Sequence, residues 1–152
     1  MTIDDLDRKI LAALMVEGRV KWSALADQFE VSAPAIADRV RRLEKAGVLT
    51  GYAARLDPES LGFGLTAFVT VTLEHPQYRD GFVDYVRANA RVQSCHHIVG
   101  DGDYLLKVCC RSTSELEQLL SEELKALPGV QQTRTTISLR AVKDTSGVPV
   151  GD

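Results

Sequence analysis

The apolar residues change their spacing near residue 57, and this change constrains the fold of the 152-residue chain more than any other feature. Before residue 57 they recur every three or four residues, as Leu6, Ile10 and Leu14 do, which is typical of amphipathic helices. After it, the first long segment alternates apolar and polar residues, as Ala67 and Val69 show, which is typical of a half-buried strand. We therefore expect a helical part followed by a mixed part.

Turn-forming residues separate the two parts, because the stretch 57–64 contains aspartate, proline, serine and glycine in close succession. The predicted organisation is a first domain over residues 1–56, a linker over 57–64, a second domain over 65–145 and a flexible tail over 146–152. The length fits one domain or two small ones.

Three helices are predicted in the first domain, with Thr2 as the cap of the first helix and Ser32 as the cap of the third. The third helix is expected to bury one stripe, which consists of Ile36, Val40 and Leu43. Val48 to Leu56 is predicted to be a short extended wing or crossover strand. The first domain is therefore predicted to be a winged helical cluster.

The second domain is predicted to follow the order β-α-β-β-α-β. Val92 to Gly100 and Tyr104 to Cys110 are expected to form two strands joined at Asp101-Gly102, a dipeptide that favours a tight hairpin turn. The last strand is predicted over Val130 to Val142. This order is that of the ferredoxin-like βαββαβ arrangement, so the whole chain is expected to be of the α+β class.

The charge of the chain is unevenly distributed. Its 18 basic and 21 acidic side chains give a net charge of −3, which disfavours a general binder of polyanions. Between residues 39 and 55, however, Glu44 is the one acidic residue among five basic residues, which are Arg39, Arg41, Arg42, Lys45 and Arg55. Positive charge is therefore concentrated on the third helix and the segment that follows it.

Two helices joined by a short turn within a three-helix cluster form the layout of a helix-turn-helix DNA reader. The candidate DNA-binding residues are Ser32, Ala33, Ala35, Asp38, Arg39, Arg41 and Arg42. Small side chains allow close approach to bases, and arginine binds phosphate or guanine, so Arg39 and Arg42 are the strongest candidates. Asp38 is expected to accept a hydrogen bond from cytosine or to orient Arg42. A helical bundle with a solvated basic face is the alternative.

Several motifs follow one another in the order found in the Lrp/AsnC (leucine-responsive, or feast/famine) family of transcription regulators. They are IDDLDRKIL, GRVKWSALA, SAPAIADRVRRLEKAGVLTGY, LDPESLG and, in the second half, GDGDYLLKV. The chain resembles this family from residue 3 to about residue 143. One departure is Glu30, which stands where the turn between the two helices often carries glycine.

The resemblance implies a regulator that binds double-stranded DNA, forms a homodimer and higher oligomers, and binds a small effector, usually an amino acid, beside the hairpin loop. The implied effector-binding residues are Gly100, Asp101, Gly102, Asp103, Tyr104, Thr133 and Thr135. A glycine-rich loop exposes backbone N–H donors to a carboxylate, while carboxylate and hydroxyl oxygens accept from an ammonium group. Without the resemblance, the same loop is interpreted as a tight hairpin.

Cysteine and histidine residues between 95 and 110 raise the possibility of a metal site, but no CxxC spacing occurs, so neither a metal nor another cofactor is expected. The rival interpretation is an enzyme that resembles the sirohaem decarboxylases, in which His96 and His97 would act around a tetrapyrrole. A third is a metabolite sensor that has lost DNA binding, which the arginine run disfavours. No catalytic residue is predicted.

The chain contains no apolar run of the ~20 residues that a membrane span needs, so no membrane contact is expected. Its first residues, MTIDDLDRKIL, are acidic and amphipathic and lack the positive segment of a signal peptide. We therefore expect a cytoplasmic protein.

Overall fold

The computed structural model describes residues 2–145 and 147–151. The chain divides into two compact units, of which the first joins Met1–Arg55 with Asp144–Asp152 and the second is Leu56–Lys143. Of the tail predicted over 146–152, Ser146 and Asp152 lie outside the described residues. The described tail residues have no regular secondary structure and belong to the first unit. Within the described residues, no helix is both long enough and apolar enough to cross a membrane.

Three helices form the first unit: α1 (Asp5–Val16), α2 (Trp22–Phe29) and α3 (Ala33–Lys45). Their apolar faces meet in one core, whose buried members are Ile10, Leu14, Leu25, Ala26, Ile36 and Val40. The helical spacing of the sequence predicted this cluster because each helix places its apolar residues on one side.

The first helix is capped by Asp4. The sequence had suggested Thr2, which is not the cap. The Asp7 backbone N–H donates to Asp4 Oδ1 over 2.8 Å, and the Asp4 N–H donates to Asp7 Oδ2 over 3.2 Å. This reciprocal pair is a capping box, which satisfies two backbone donors that have no partner inside the helix. Thr2 lies too far before the first helical residue to do so. Ser32 caps α3 as predicted, since its Oγ accepts from the Ala35 N–H.

The turn between α2 and α3 takes a left-handed conformation at Glu30, which has φ of 57°. Its N–H still donates to the Ala26 carbonyl oxygen, and α2 ends because the left-handed backbone of Glu30 does not continue the helix. Glycine adopts this conformation at little cost, whereas a side chain crowds the backbone. This geometry explains why glycine suits the turn and why Glu30 stands out there.

The segment from Val48 to Leu56 does not form the predicted wing strand. The described part of the first unit contains no strand. The segment therefore has no neighbouring strand to supply the backbone hydrogen bonds that a strand needs. Tyr52 attaches the segment to α3, because its hydroxyl donates to Glu44 Oε1 over 3.0 Å. Partial burial and the hydrogen bond to Glu44 raise the pKa of Tyr52.

The second unit has the predicted βαββαβ order. Its elements are β1 (Leu65–Leu73), α4 (Arg79–Ala88), β2 (Val92–His97), β3 (Tyr104–Cys110), α5 (Thr113–Glu117), a π-helical continuation (Gln118–Leu124) and β4 (Val130–Ser138). The sheet has the order β2-β3-β1-β4, and every neighbouring pair is antiparallel. The α+β class, with a helix-turn-helix followed by a ferredoxin-like domain, is therefore confirmed.

One face of the sheet is covered by the helices and the other is open. Ala67, Val69 and Val71 of β1 are fully buried and pack with Phe82 of α4 and Leu119 of the π-helical segment. The alternate residues of β1, which include Thr70 and Thr72, point to the opposite face because successive side chains of a strand alternate. The second core thus depends on one half of the alternating pattern.

The β2–β3 connection differs from the tight two-residue turn that the sequence suggested. β2 ends at His97, and six residues, 98–103, precede β3. The loop is tied to β1, since the Asp103 N–H donates to the Val71 carbonyl over 2.9 Å and Asp103 Oδ2 accepts from the Leu73 N–H over 2.7 Å. These bonds to a third strand draw the loop away from simple hairpin geometry. β4 likewise ends at Ser138, earlier than predicted.

Candidate DNA-binding helix and effector pocket

The face of α3 that lies opposite its buried stripe carries two basic side chains, Arg41 and Lys45. Leu43 is fully buried, and Arg41 and Lys45, each two residues from it, lie about 160° around the helix at ~3.6 residues per turn. Both side chains are exposed. Arg41 Nη1 lies 2.8 Å from Asp38 Oδ1, and both members of this ion pair are solvent-exposed. Such a pair is weak, so another anion is able to replace Asp38.

Arg39 and Arg42 do not lie on that free face, as the sequence analysis had assumed. Arg39 Nη1 donates to Asp4 Oδ2 over 2.6 Å and to Asp7 Oδ1 over 2.8 Å. Arg42 Nη2 donates to both Asp7 oxygens, over 3.0 Å and 2.9 Å. Arg39 is about 40° around the helix from Leu43, so it is directed toward α1 and away from the exposed side. We call these four residues the α1–α3 cluster.

The members of the α1–α3 cluster differ in their exposure to solvent. The Asp7 side chain is fully buried, whereas those of Arg39 and Arg42 are 27% and 51% exposed. A buried carboxylate is tolerated only when it is paired and hydrogen-bonded, and here the two arginines and the Asp4 N–H supply those bonds. The hydrogen bond from Arg39 lowers the pKa of Asp4 and raises the pKa of Arg39 itself.

The remaining candidate DNA-binding residues near the start of α3 differ in how exposed they are. Ser32 caps the helix, and Ala33 is half-buried against the first core, so Ala33 is less open than predicted. Ala35 is half-buried and Asp38 is exposed. Asp38 pairs with Arg41, three residues along, and does not orient Arg42 as we had expected.

A polar pocket lies beside the β2–β3 loop on the open face of the sheet. It has a volume of about 190 Å³, and its lining residues are Thr70, Thr72, Asp101, Gly102, Gln132 and Arg134. Because β1 and β4 are paired with Thr70 opposite Arg134 and Thr72 opposite Gln132, these four side chains share one face. The loop adds Asp101 and Gly102 at the end of that face.

The pocket presents one cation and one anion to a ligand. Arg134 Nη1 lies 3.6 Å from Asp101 Oδ2, and both side chains are largely exposed. Neither charge is buried in a network, so each is available to an opposite charge on a small molecule. The hydroxyls of Thr70 and Thr72 and the Gln132 amide add donors and acceptors around the pair.

Gly102 is required by this geometry. It has φ of 115°, and a Cβ atom placed there would lie 2.4 Å from Thr70 Cγ2 and 3.3 Å from the Val71 carbonyl oxygen. Glycine therefore allows both the left-handed backbone and the close approach of the loop to β1. Gly100 also has positive φ, of 150°, but a Cβ atom there would meet no neighbour within 4 Å.

Five of the seven predicted effector residues, among them Gly100 of the loop, do not line the pocket. Asp103 uses its carboxylate to bind the Leu73 N–H, and Tyr104 is buried in the second core beside Phe82. Thr133 and Thr135 pair with Val71 and Val69, so they share the helix-covered face of the sheet. The sequence shows that the two threonines share one face of β4, but it does not show which face of the sheet that is.

The histidine and cysteine residues do not form a common centre. Within residues 2–145 and 147–151, no three His, Cys, Asp or Glu side chains are placed to hold a metal ion. The ring of His97 stacks on Tyr104 with centroids 5.0 Å apart. Cys110 is fully buried, and burial raises the pKa of its thiol. Cys109 Sγ donates to the Phe63 carbonyl oxygen over 3.5 Å.

Sequence reasoning missed two sets of residues. Asp4 and Asp7 of the α1–α3 cluster were not singled out, although two acids three residues apart at a helix start are a recognisable capping signal. The pocket residues Thr70, Thr72, Gln132 and Arg134 were also missed. The sequence shows that these residues lie on the polar face of their strands. It does not show the register that brings the two strands together.

Two family models match the chain, one in its first half and one in its second. The model of the AsnC-type helix-turn-helix domain matches residues 3–44, and that of the Lrp/AsnC ligand binding domain matches residues 66–148. The chain is also 38% identical over 146 residues to the Leucine-responsive regulatory protein of Klebsiella pneumoniae, covering 95% of this chain and 89% of that protein. The chain belongs to the Lrp/AsnC family. It is thus a transcriptional regulator, and the tetrapyrrole-enzyme alternative is excluded, since members of this family are not enzymes.

Solved structures agree with this assignment to the Lrp/AsnC family. A transcriptional regulator from Neisseria meningitidis, solved as an L-Met complex, has a TM-score of 0.94 at 32% identity and covers 98% of this chain and 97% of its own. The feast or famine regulatory protein of M. tuberculosis, complexed with L-Methionine, has a TM-score of 0.88 at 35% identity and covers 97% and 99%. The recognition made from the sequence motifs is confirmed.

Proposed function

We propose that this Lrp/AsnC regulator binds specific double-stranded DNA sequences through α3 and that an amino acid modulates this binding. The observation that carries the DNA proposal is the exposed face of α3, where Arg41 and Lys45 lie opposite the buried Leu43. A helix-turn-helix places this face in the major groove, where arginine binds phosphate or guanine. Binding to chromosomal DNA implies action in the cytoplasm.

Further residues proposed to face DNA lie beside this face or at the start of α3. Arg41 is fully outside the core, and Arg42 is half-exposed and keeps donors beyond the Nη2 atom that binds Asp7. Ser32 caps α3 and Ala35 lies in its first turn, where small side chains permit close approach to base edges. Asp38 is placed to accept from a cytosine amine once Arg41 turns to the DNA.

We also propose that the protein acts as a homodimer or a larger assembly of dimers. One α3 helix offers few cations in a chain of net charge −3, so a single head is expected to bind DNA weakly. Two heads on a two-fold site double the phosphate contacts. The open face of the sheet, where Phe68 is 40% exposed, is a surface of the second unit that a second copy is able to cover.

The proposed effector site is the polar pocket beside the β2–β3 loop. A free amino acid carries an ammonium and a carboxylate, and the pocket offers Asp101 for the first and Arg134 for the second. Two structural neighbours are described as complexes with L-methionine, which makes methionine the first probe to use. An effector that binds one arrangement of the DNA-binding heads more tightly shifts the population toward that arrangement.

A thermal-shift screen of the purified protein against the twenty amino acids tests the effector site. A ligand that binds the native state raises the unfolding temperature with its concentration. The stabilisation should be lost in Arg134→Gln and kept in the matched control Arg140→Gln, which removes an exposed arginine outside the pocket. Equal stabilisation of both variants would place the effector elsewhere.

DNA binding is tested by selecting duplexes from fragmented genomic DNA and measuring retardation with and without the effector. The parent protein should retard the selected duplex at concentrations that leave a shuffled duplex free, and Arg41→Ala should weaken the complex. Light scattering of the free protein and the complex measures the assembly. Equal retardation of selected and shuffled duplexes would contradict sequence-specific binding.

A further inference from the structure

The α1–α3 cluster carries an inference that rests on the proposed DNA binding and deepens it. We propose that Asp4 and Asp7 withhold Arg39 from DNA, so that Arg39 is a positioning residue of α3 and the phosphate contacts are made by Arg41 and Lys45. From the sequence alone, Arg39 is among the strongest candidates for DNA contact. The contacts of its side chain give it the other role.

The first reason is the arrangement of hydrogen bonds. One nitrogen of Arg39, Nη1, donates to carboxylate oxygens of both Asp4 and Asp7 over 2.6 Å and 2.8 Å. Hydrogen bonds between ionised groups at such distances are among the strongest in proteins. A phosphate would have to replace two carboxylates that are already attached to the same domain.

The second reason is the cost at Asp7. Its side chain is fully buried, and its hydrogen bonds come from Arg39, Arg42 and the Asp4 N–H. Removing one partner from a buried ion pair leaves an uncompensated charge, which is strongly unfavourable. Arg39 therefore stays with Asp7 when α3 approaches DNA, and this attachment sets the position of α3 against α1.

The third reason is direction. Arg41 and Lys45 lie about 160° around the helix from Leu43, whereas Arg39 lies about 40° from it. The partner of Arg41 is the exposed Asp38. Water and salt ions compete with Asp38 for the Arg41 guanidinium. The same helix thus holds one arginine that exchanges partners easily and one that does not.

The test measures how the affinity for a duplex of about 30 base pairs, or three helical turns, of random sequence depends on salt. The slope of log affinity against log salt reports the number of phosphate contacts. We expect Arg41→Ala and Lys45→Ala each to reduce the slope by about one unit per contact. Arg39→Ala should lower the unfolding temperature and leave the slope at its parent value.

Releasing Arg39 supplies the complementary measurement. Asp4→Asn with Asp7→Asn should steepen the salt slope by about one unit, because the freed guanidinium can then reach phosphate, and adding Arg39→Ala should remove that gain. Asp7→Asn alone, which leaves only the half-exposed Asp4 as an acidic partner of Arg39, is the variant to use if the double substitution does not fold. Asp5→Asn is the matched control, since it removes the same charge from the same end of α1 without a bond to Arg39.

The outcomes separate the two proposals. A slope that falls by about one unit in Arg39→Ala would overturn the inference, because Arg39 would then contact phosphate in the parent protein. A slope that does not change in the folded Asp4→Asn/Asp7→Asn variant, or that changes equally in Asp5→Asn, would also overturn it. A parent protein that binds no duplex would overturn DNA binding itself and the inference with it.

Discussion

The two units of the molecule each pair aspartate with arginine, but they do so under opposite conditions. In the first unit, Asp7 is fully buried and binds Arg39 and Arg42 at distances between 2.8 and 3.0 Å. In the second, Asp101 and Arg134 are 92% and 65% exposed and stand 3.6 Å apart. The chemistry of the groups is the same, and their access to water differs.

This difference separates groups that hold the fold from groups that are free to bind. A buried carboxylate needs its partners permanently, because its desolvation is compensated only while the pair is intact. An exposed pair gains little from its attraction, so a ligand that offers an opposite charge replaces either member at small cost. Each of the following substitutions changes one of the two units.

The largest effect is expected from Asp7→Asn. Loss of a buried ion pair costs about 3–5 kcal/mol, and since Arg39 and Arg42 keep contact with water we expect a decrease of about 2–3 kcal/mol in the free energy of unfolding. Equilibrium unfolding in denaturant measures it. Asp38→Asn, which breaks the exposed pair with Arg41, should cost less than about 1 kcal/mol. Equal losses would show that burial does not distinguish the two pairs.

Gly102→Ala should have the next largest effect. The added Cβ would meet Thr70 and the Val71 carbonyl at a φ of 115°, so we expect a loss of about 2 kcal/mol in stability and loss of amino-acid-induced stabilisation. Denaturation and thermal-shift curves measure the two effects. Gly100→Ala is the control, because it has positive φ without a close neighbour and should cost only about 1 kcal/mol. Indistinguishable variants would argue against a close approach of the loop to β1.

Glu30→Gly should stabilise the first unit. Glu30 has φ of 57°, and relief of a left-handed side-chain conformation is worth about 1 kcal/mol, partly offset by the greater freedom of glycine in the unfolded chain. The midpoint of denaturant unfolding should rise. Glu30→Ala, which keeps the Cβ atom and loses only the carboxylate, should show no such gain. A gain in both would attribute the effect to charge.

The smallest effect is a change in acid sensitivity at Asp4, the exposed carboxylate of the α1–α3 cluster. The hydrogen bond from Arg39 lowers the pKa of Asp4 below its ordinary value of 3.8. A group whose pKa is lower in the folded state contributes stability above the unfolded pKa and loses it as pH falls through the folded pKa.

The parent should therefore lose more stability than Asp4→Asn as the pH falls from about 5 to about 3. Parallel unfolding experiments across this range measure the difference. Two curves that fall in parallel would mean that Asp4 gains nothing from Arg39, and Asp5→Asn, which is outside the cluster, should parallel the parent.

The order of the elements was readable from the sequence because it depends on local patterns. The helical spacing of Ile36, Val40 and Leu43 and the alternation along β1 each reflect which side chains face a core. Ser32 also capped α3 as expected. The wing and the tight β2–β3 turn failed as predictions, because each depended on a partner strand or loop contact that local sequence does not specify.

In the predicted helix and loop, the structure leaves a different set of side chains exposed from the set that the sequence suggested. Arg39 and Arg42 were placed on a free face because the sequence does not show that Asp4 and Asp7 of α1 reach them. Thr133 was expected near the effector, but one residue of register decides on which face of β4 a side chain lies, and Thr133 lies on the helix-covered face.

The sequence by itself determined the class of this protein, since motif order over nearly the whole chain and hydrophobic periodicity are properties of the linear chain. Only the tertiary structure decided which charges are free. Whether an arginine binds a carboxylate of its own chain or remains available to DNA or an amino acid depends on distance and on access to water. Both are set by the packing of α1 on α3 and by the pairing of β1 with β4.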